Sequence, residues 1–410
     1  MSAALLPALA VALQAWLDPR EERDHAAGAA VTPEMVARGA KLALAGNCAG
    51  CHTERGGPAY AGGRGIETPF GTVFTGNLTP DADTGLGHWT RADFWQALHF
   101  GRSRDDRLLI PAFPYPSYTQ VTRDDADALF AYLQSLPAVA RPHRPQALRF
   151  PFNTQIALTL WRALFFRAGE FRPDPAQSPA WNRGAYLVGG LGHCSACHAA
   201  RNAFGASTDS PALGGGLIPM QKWYAPSLAS PREAGVADWS EAEVVRLLKT
   251  GSGDHGSVLG PMAEVVLRST QHLDETDLQA MAVFLRSLPQ RIVEPESGDP
   301  VAPEVLSAGR RLYERHCQDC HGAQGEGARG AYAALAGNRK VTMNSPANLV
   351  RVIIAGGFPP ATAGHPRPYG MPPFGHLLSD AEVAALTSYV RSAWGHRAAA
   401  VSPLQVQQLR

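Results

Sequence analysis

Neither sign of charge prevails in this chain of 410 residues. Lys and Arg number 37 against 36 Asp and Glu, a formal net charge of +1. A protein that grips phosphates needs a basic surplus, so no nucleic-acid partner is expected. Cysteine is scarce, six in all, which excludes a scaffold held by disulfides. Long apolar runs are missing as well. The one candidate, Ala3 to Leu17, is interrupted by Pro7 and Gln14 and is shorter than the ~20 residues of a spanning helix. No nucleotide-binding glycine fingerprint, nucleophile elbow or separate metal motif is present, so the chain offers no substrate chemistry of its own. What it has in quantity is Gly (41) and Pro (33). Such a chain is rich in turns and cannot be one coiled coil. Its length suggests two to four domains.

The six cysteines fall as Cys48/Cys51, Cys194/Cys197 and Cys317/Cys320, and none is left over. Every pair is Cys-x-x-Cys followed at once by His: His52, His198 and His321. A single pair could be a zinc site or a redox dithiol. The trailing histidine reads instead as covalent attachment of c-type haem. Two thiols add to the two vinyl groups on one porphyrin edge, and the next residue lies beneath the ring, where its imidazole reaches iron. Zinc would need two such pairs near each other in sequence, and these are over a hundred residues apart. Three covalently bound haem c groups are therefore expected. Thioether attachment takes place outside the bacterial cytoplasm, which makes Ala3 to Leu17 an expected export signal or short anchor. The run lacks the Lys or Arg that should precede it, and a frayed helix or a misassigned start is the alternative.

A common plan recurs three times. Arg38-Gly39-Ala40, Arg183-Gly184-Ala185 and Ala308-Gly309-Arg310 each open a helical pattern that leads into one motif. Each repeat closes on another helix, over Val121 to Leu133, Leu273 to Pro289, and Leu378 to Trp394, with acids in its first turn. Gly- and Pro-rich loops between them carry one more helix: Asp93 to Phe100, Glu241 to Thr250, Ala347 to Ala355. Sustained period-two alternation is absent, so strand content should be small. The segment Gln155 to Arg167 reads as an amphipathic helix. It is either a brace packed on its flanks or a contact for a partner or a membrane surface.

The sixth position on each iron separates the repeats. A Met thioether closes it and raises the reduction potential. Met371 in Tyr369-Gly370-Met371-Pro372-Pro373 and Met262 in Gly260-Pro261-Met262-Ala263 are the expected ligands. Met220 and Met281 are expected to be packing residues. In the first repeat Phe113 stands where Met is expected, and no Met occurs between Met35 and Met220. That haem has another ligand or an open position. His99 is the first candidate and His88 the other, against the plainer reading of His99 as a solvated or core histidine.

The sequence resembles the tri-haem cytochrome c subunits of bacterial membrane-associated dehydrogenases from about Val36 onward. The resemblance rests on Asn77-Leu78-Thr79-Pro80-Asp81, Pro111 to Tyr118, Arg183 to Asn202, Trp223-Tyr224-Ala225-Pro226, Gly260 to Val265, Ser269 to Leu273, and Pro359 to Gly395. It implies a mainly α protein of three tandem class I cytochrome c-like domains at 34–137, 183–290 and 305–397. Around these lie an export segment (1–30), linkers (138–182 and 291–304) and a C-terminal tail (398–410). It also implies a periplasmic electron carrier at the membrane periphery, not an enzyme on its own. Its partner would be a catalytic dehydrogenase subunit holding flavin, quinone or molybdenum, and its acceptor ubiquinone or a terminal oxidase. Many members carry Met where this chain has Phe113, a departure that weakly favours the molybdenum-linked branch. Two other readings exist: a haem enzyme or small-ligand binder using an open first haem, and a sensor, for which no signalling domain is visible.

Overall fold

The computed structural model describes residues 30–208, 212–292 and 301–410. The expected export segment, Ala3 to Leu17, lies outside the described residues, as does most of the 291–304 linker. The chain is mainly helical. It divides into two compact units, one of residues 30–196 with 201–208, the other of residues 197–200 with 212–292 and 301–410.

The first unit is built on α1 (Pro33–Ala45), α2 (Arg91–Phe100), α3 (Arg123–Gln134), α4 (Gln155–Phe165) and α5 (Pro179–Tyr186). Local signals start these helices where the polar-to-apolar switch occurs. Thr32 accepts a hydrogen bond from the Met35 amide, with Pro33 in the first turn. Thr90 and Asp93 cap one another reciprocally at the start of α2. Gly101, in the left-handed region at φ 61°, ends α2. In the segment after the first motif, β1 (Gly65–Thr68) and β2 (Gly71–Phe74) form an antiparallel sheet that β3 (Ala147–Leu148) extends.

The second unit contains α6 (Glu241–Thr250), α7 (Pro261–Arg268), α8 (Glu275–Arg286), α9 (Pro303–His316), α10 (Ala347–Ala355), α11 (Asp380–Ser392) and α12 (Pro403–Leu409). Helix α6 packs on α8, and α9 packs on α11. The segment 398–410, expected from sequence to be a tail, folds back onto this unit. Val401 and Val406 are buried, α12 packs on α10 and α11, and Arg410 binds Asp380 and the Leu378 carbonyl. Arg391 is fully buried beneath it and donates to the carbonyls of Val341, Met343 and Ala399. Its charge is tolerated because three carbonyls receive its protons.

One crossing recurs in both units. Helices α1 and α3 meet at Gly39, and α9 and α11 meet at Gly309. A Cβ on Gly39 would lie 1.9 Å from the Ala128 carbonyl oxygen and 2.8 Å from Tyr132 Cβ. A Cβ on Gly309 would lie 2.2 Å from the Ala385 carbonyl oxygen and 2.6 Å from Tyr389 Cβ. The same Gly-to-Ala-and-Tyr geometry thus brings opening and closing helices together, with backbone as the wall. Backbone cannot rotate away, so added volume must separate the helices. Gly309→Ala should destabilise the protein by about 2 kcal/mol in chemical denaturation. Gly169→Ala, with nothing within 4 Å of the new Cβ, should change stability by less than about 0.5 kcal/mol. Equal effects of the two would show that the crossing is not close-packed.

Candidate functional site

Each Cys-x-x-Cys-His motif forms a short helical turn: Cys48–Cys51 ending at His52, Ser195–His198, and Gln318–His321. The segments that feed them differ. Leu42 and Leu44 carbonyls accept from Gly46 and Asn47 as α1 unwinds before Cys48. Before the second motif the chain passes through a single π-turn, Leu187–Leu191, whose Gly189 and Gly190 lie against Gln120. Such turns shift side chains off the regular helical register.

The three histidines share one arrangement. His52 Nδ1 is 2.8 Å from the Gly76 carbonyl, His198 Nδ1 is 2.7 Å from the Pro226 carbonyl, and His321 Nδ1 is 2.8 Å from the Ala333 carbonyl. A carbonyl only accepts, so Nδ1 carries the proton in each ring. Nε2 is left with its lone pair, the form an imidazole needs to bind a metal, and the carbonyl fixes the ring's rotation. Burial lowers the pKa of His52 and of His198, which keeps those rings neutral. None of the six cysteines is in a disulfide. In every pair the first thiol is the more enclosed and the second is exposed. Burial, reinforced by neighbouring Cys51, pushes the Cys48 thiol up to about 12, and burial pushes Cys317 up to about 11. Burial at Cys48 and Cys317 thus favours an uncharged sulfur, thiol or thioether, over a thiolate. The donor set therefore fits haem c at each motif: two thiols on one turn and an imidazole held with Nε2 open.

The expected methionines stand on rigid backbone. Met371 is half-buried on the third repeat's core and exchanges both backbone hydrogen bonds with Gly357 just beyond α10. Met262 is in the first turn of α7, after Gly260, whose φ is 58° and whose missing Cβ would strike the Trp223 ring at 2.7 Å. Only glycine meets both conditions. Backbone register aligns Phe113 with Met262. Leu109 donates to the carbonyl of Gly101, and Val258 to that of Gly251; Gly101 and Gly251 are the left-handed caps of α2 and α6. Phe113 and Met262 each follow four residues later. The third loop departs from this register, because Met371 itself makes the bond to Gly357.

His99 is buried in α2. Its ring lies flat on Trp95, with centroids 4.3 Å apart, and edge-on to Phe100. Packing on Trp95 accounts for that burial. Met281 is buried as expected, but Met220 is 57% exposed, at φ 62°. The tight left-handed turn that holds Met220 points it outward, so it does not pack.

Two residues beside the first motif went unassigned from sequence. Tyr118 is buried, and burial together with the nearby Cys48 and Cys51 thiols raises its pKa. Its hydroxyl donates to the Gly46 carbonyl at 3.1 Å. His193, the residue before Cys194, places Nε2 3.3 Å from the same carbonyl and packs edge-on to Tyr118 at 5.5 Å. The lead-in to the second motif thus rests on the lead-in to the first. A His directly before a Cys-x-x-Cys was the available signal.

The sequence pattern of the family described as Cytochrome c matches residues 36–137 and 306–394. The chain is 36% identical over 395–396 residues to the cytochrome c subunit of alcohol dehydrogenase (quinone) from Gluconacetobacter polyoxogenes and from Gluconobacter oxydans; each alignment spans 92% of this chain, and 84% and 82% of those subunits. It belongs to the family of dehydrogenase cytochrome c subunits. It is also 43% identical to a nicotinate dehydrogenase subunit of Pseudomonas putida, over 90% of this chain but only 31% of that protein. Membership makes the chain a c-type cytochrome, an electron-transfer protein with covalently bound haem. Met371→Ala or Met262→Ala should each remove part of the near-infrared charge-transfer absorption of Met-ligated ferric haem, and Phe113→Met should add to it. An unchanged band in both alanine variants would reject these ligands.

Proposed function

We propose that the chain is a tri-haem electron relay built of three cytochrome c domains, at 34–137, 183–290 and 305–397. The observation that carries this reading is the threefold His-to-carbonyl bond, which leaves one open Nε2 beside each pair of thiols. Cys48, Cys51 and His52 would hold the first haem, Cys194, Cys197 and His198 the second, and Cys317, Cys320 and His321 the third. Met262 and Met371 would close the second and third. Haem supplies reversible one-electron exchange. The protein's part is to fix the histidine rings, keep water from the enclosed edge and set each iron's surroundings. The Gly46 carbonyl accepts from Tyr118 and lies 3.3 Å from His193 Nε2, which ties the second motif's lead-in to that of the first.

The relatives are subunits of dehydrogenases named for nicotinate and for alcohol. Chains so alike serving different substrates share the carriage of electrons rather than a substrate. The proposed donor is a catalytic dehydrogenase subunit with flavin, quinone or molybdenum, and the acceptor is ubiquinone or a terminal oxidase. The proposed location is the periplasmic face of the inner membrane. No helix among the described residues is long and apolar enough to cross a membrane.

Phe113 favours a second reading for the first haem alone. A phenyl ring has no lone pair, so this iron would be bound by His99, by water or by nothing on its sixth side. An open site would bind carbon monoxide.

Intact mass of the purified protein should exceed that of its polypeptide by three haems, and acid–acetone should extract none. Two haems or fewer would reject the three-domain relay. Paramagnetic resonance should resolve one ferric species distinct from the other two. If His99 is the sixth ligand, that signal moves to a high-spin position in His99→Ala. An unchanged signal removes His99 from the site.

A further inference from the structure

Helix α4 docks by one face and turns an apolar face outward. The inner face is well occupied. Leu158 is buried, and buried Arg162 donates to the Phe100 carbonyl. The Gln155 side chain pairs with the backbone of Leu108. The outer face carries Ile156 (66% exposed), Leu160 (44%) and Leu164 (67%). These are spaced i, i+4, i+8, so they form one stripe along the helix. The stripe does not end with the helix. Phe204, 57% exposed, is joined to it through the Phe165 ring and by its carbonyl, which accepts from Trp161 Nε1. Just ahead of α4, Phe150 is 83% exposed. A soluble protein rarely leaves so many large side chains of one kind together in water.

The charge around the stripe is one-sided. From Arg141 to Arg172 the chain has six Arg and a single acid, Glu170, in a protein whose total charges nearly balance. Of these arginines, Arg149, Arg167 and Arg172 are exposed, whereas Arg141 and Arg144 both pair with Glu54 and Arg162 is buried on the inner face. An apolar stripe without polar groups, bordered by cations, is complementary to an anionic lipid surface: hydrocarbon takes the side chains and headgroups take the guanidinium groups. The choice of a lipid surface rests on this border: the guanidinium groups of Arg149, Arg167 and Arg172 match anionic headgroups, while Ile156, Leu160, Leu164 and Phe150 need only hydrocarbon.

We infer that α4 and Phe150 form a membrane-surface contact that inserts into the headgroup boundary of an anionic bilayer without crossing it. This rests on the reading that the protein works at the membrane periphery and assigns the residues that hold it there. The insertion depth for such a helix is ~5–10 Å, about the reach of one layer of side chains.

The test uses the intact, haem-loaded chain with vesicles of phosphatidylethanolamine and phosphatidylglycerol. Part of the phosphatidylglycerol carries a photoreactive diazirine in its acyl chain. Irradiation followed by peptide mass mapping should place lipid adducts on residues 150–164 of the unaltered protein. Ile156→Ser, Leu160→Ser and Leu164→Ser together should lose those adducts and weaken vesicle flotation by roughly tenfold, with the visible haem spectrum unchanged. Vesicles of phosphatidylcholine alone should bind more weakly. Flotation with adducts confined to other segments would overturn the assignment to α4 while sparing the membrane reading. Failure of the unaltered protein to float would overturn both. If the triple variant floats normally but no longer co-purifies with a dehydrogenase subunit, the stripe is a protein interface and the inference is wrong.

Discussion

A hydrogen bond from a histidine Nδ1 to a backbone carbonyl is the constraint on which the rest of this structure depends. It occurs at His52, His198 and His321 with nearly equal length. Each bond selects one tautomer and one ring orientation, and leaves one nitrogen for iron. The accepting carbonyls of Gly76, Pro226 and Ala333 belong to loops rather than helices. Those loops must be held, and their glycines and prolines do that. Gly62, at φ 72°, approaches the Gly76 carbonyl so closely that a Cβ would lie 2.4 Å from its oxygen. Glycine at position 62 is thus required by the loop that presents the Gly76 carbonyl to His52.

Much of this was legible in the sequence because the motifs are local. Cys-x-x-Cys-His needs only five residues to state its chemistry, and the three middle helices end within a few residues of where periodicity puts them. The closing helices are legible for the same reason, through Thr122 and Ser379 as caps. The less legible features are set by contacts far apart in the chain. The role of Gly39 and Gly309 depends on a carbonyl some 76 to 89 residues away (Ala128 and Ala385). Nothing local shows that Tyr118 and His193 converge on Gly46. Ser402 to Arg410 looks polar, yet buried Val406, the preceding Val401 and the bonds of Arg410 to Asp380 and the Leu378 carbonyl dock it. Met220 departs from its expected packing role because a left-handed turn, which the sequence alone does not suggest, reverses its direction.

The first repeat differs from the others in ways that reinforce one another. Phe113 takes the register position of Met262, and Tyr118 sits beside Cys48 and Cys51. Tyr60, also buried, feels the Cys48 thiol. A tyrosine beside the cysteine is shared with the third repeat, where Tyr313 is buried next to Cys317, so the distinguishing change is Phe113 in place of a thioether. A thioether favours ferrous iron and raises the potential, whereas a second imidazole or water favours ferric iron and lowers it. A relay whose members differ in this way has a built-in direction. In the proposed relay, a first haem ligated by imidazole or water would be lowest in potential and would pass electrons on most readily, and haems closed by Met262 and Met371 would hold them.

The central claim, three histidine-ligated haems of which the first is unlike the other two, is tested most directly by a spectroelectrochemical titration of the intact protein. Three one-electron steps are expected. One is well separated at low potential; it rises toward the other two in Phe113→Met and stays in place in Met262→Ala and Met371→Ala. Three steps of equal potential, or a lowest step that moves with Met371 and ignores position 113, would contradict it.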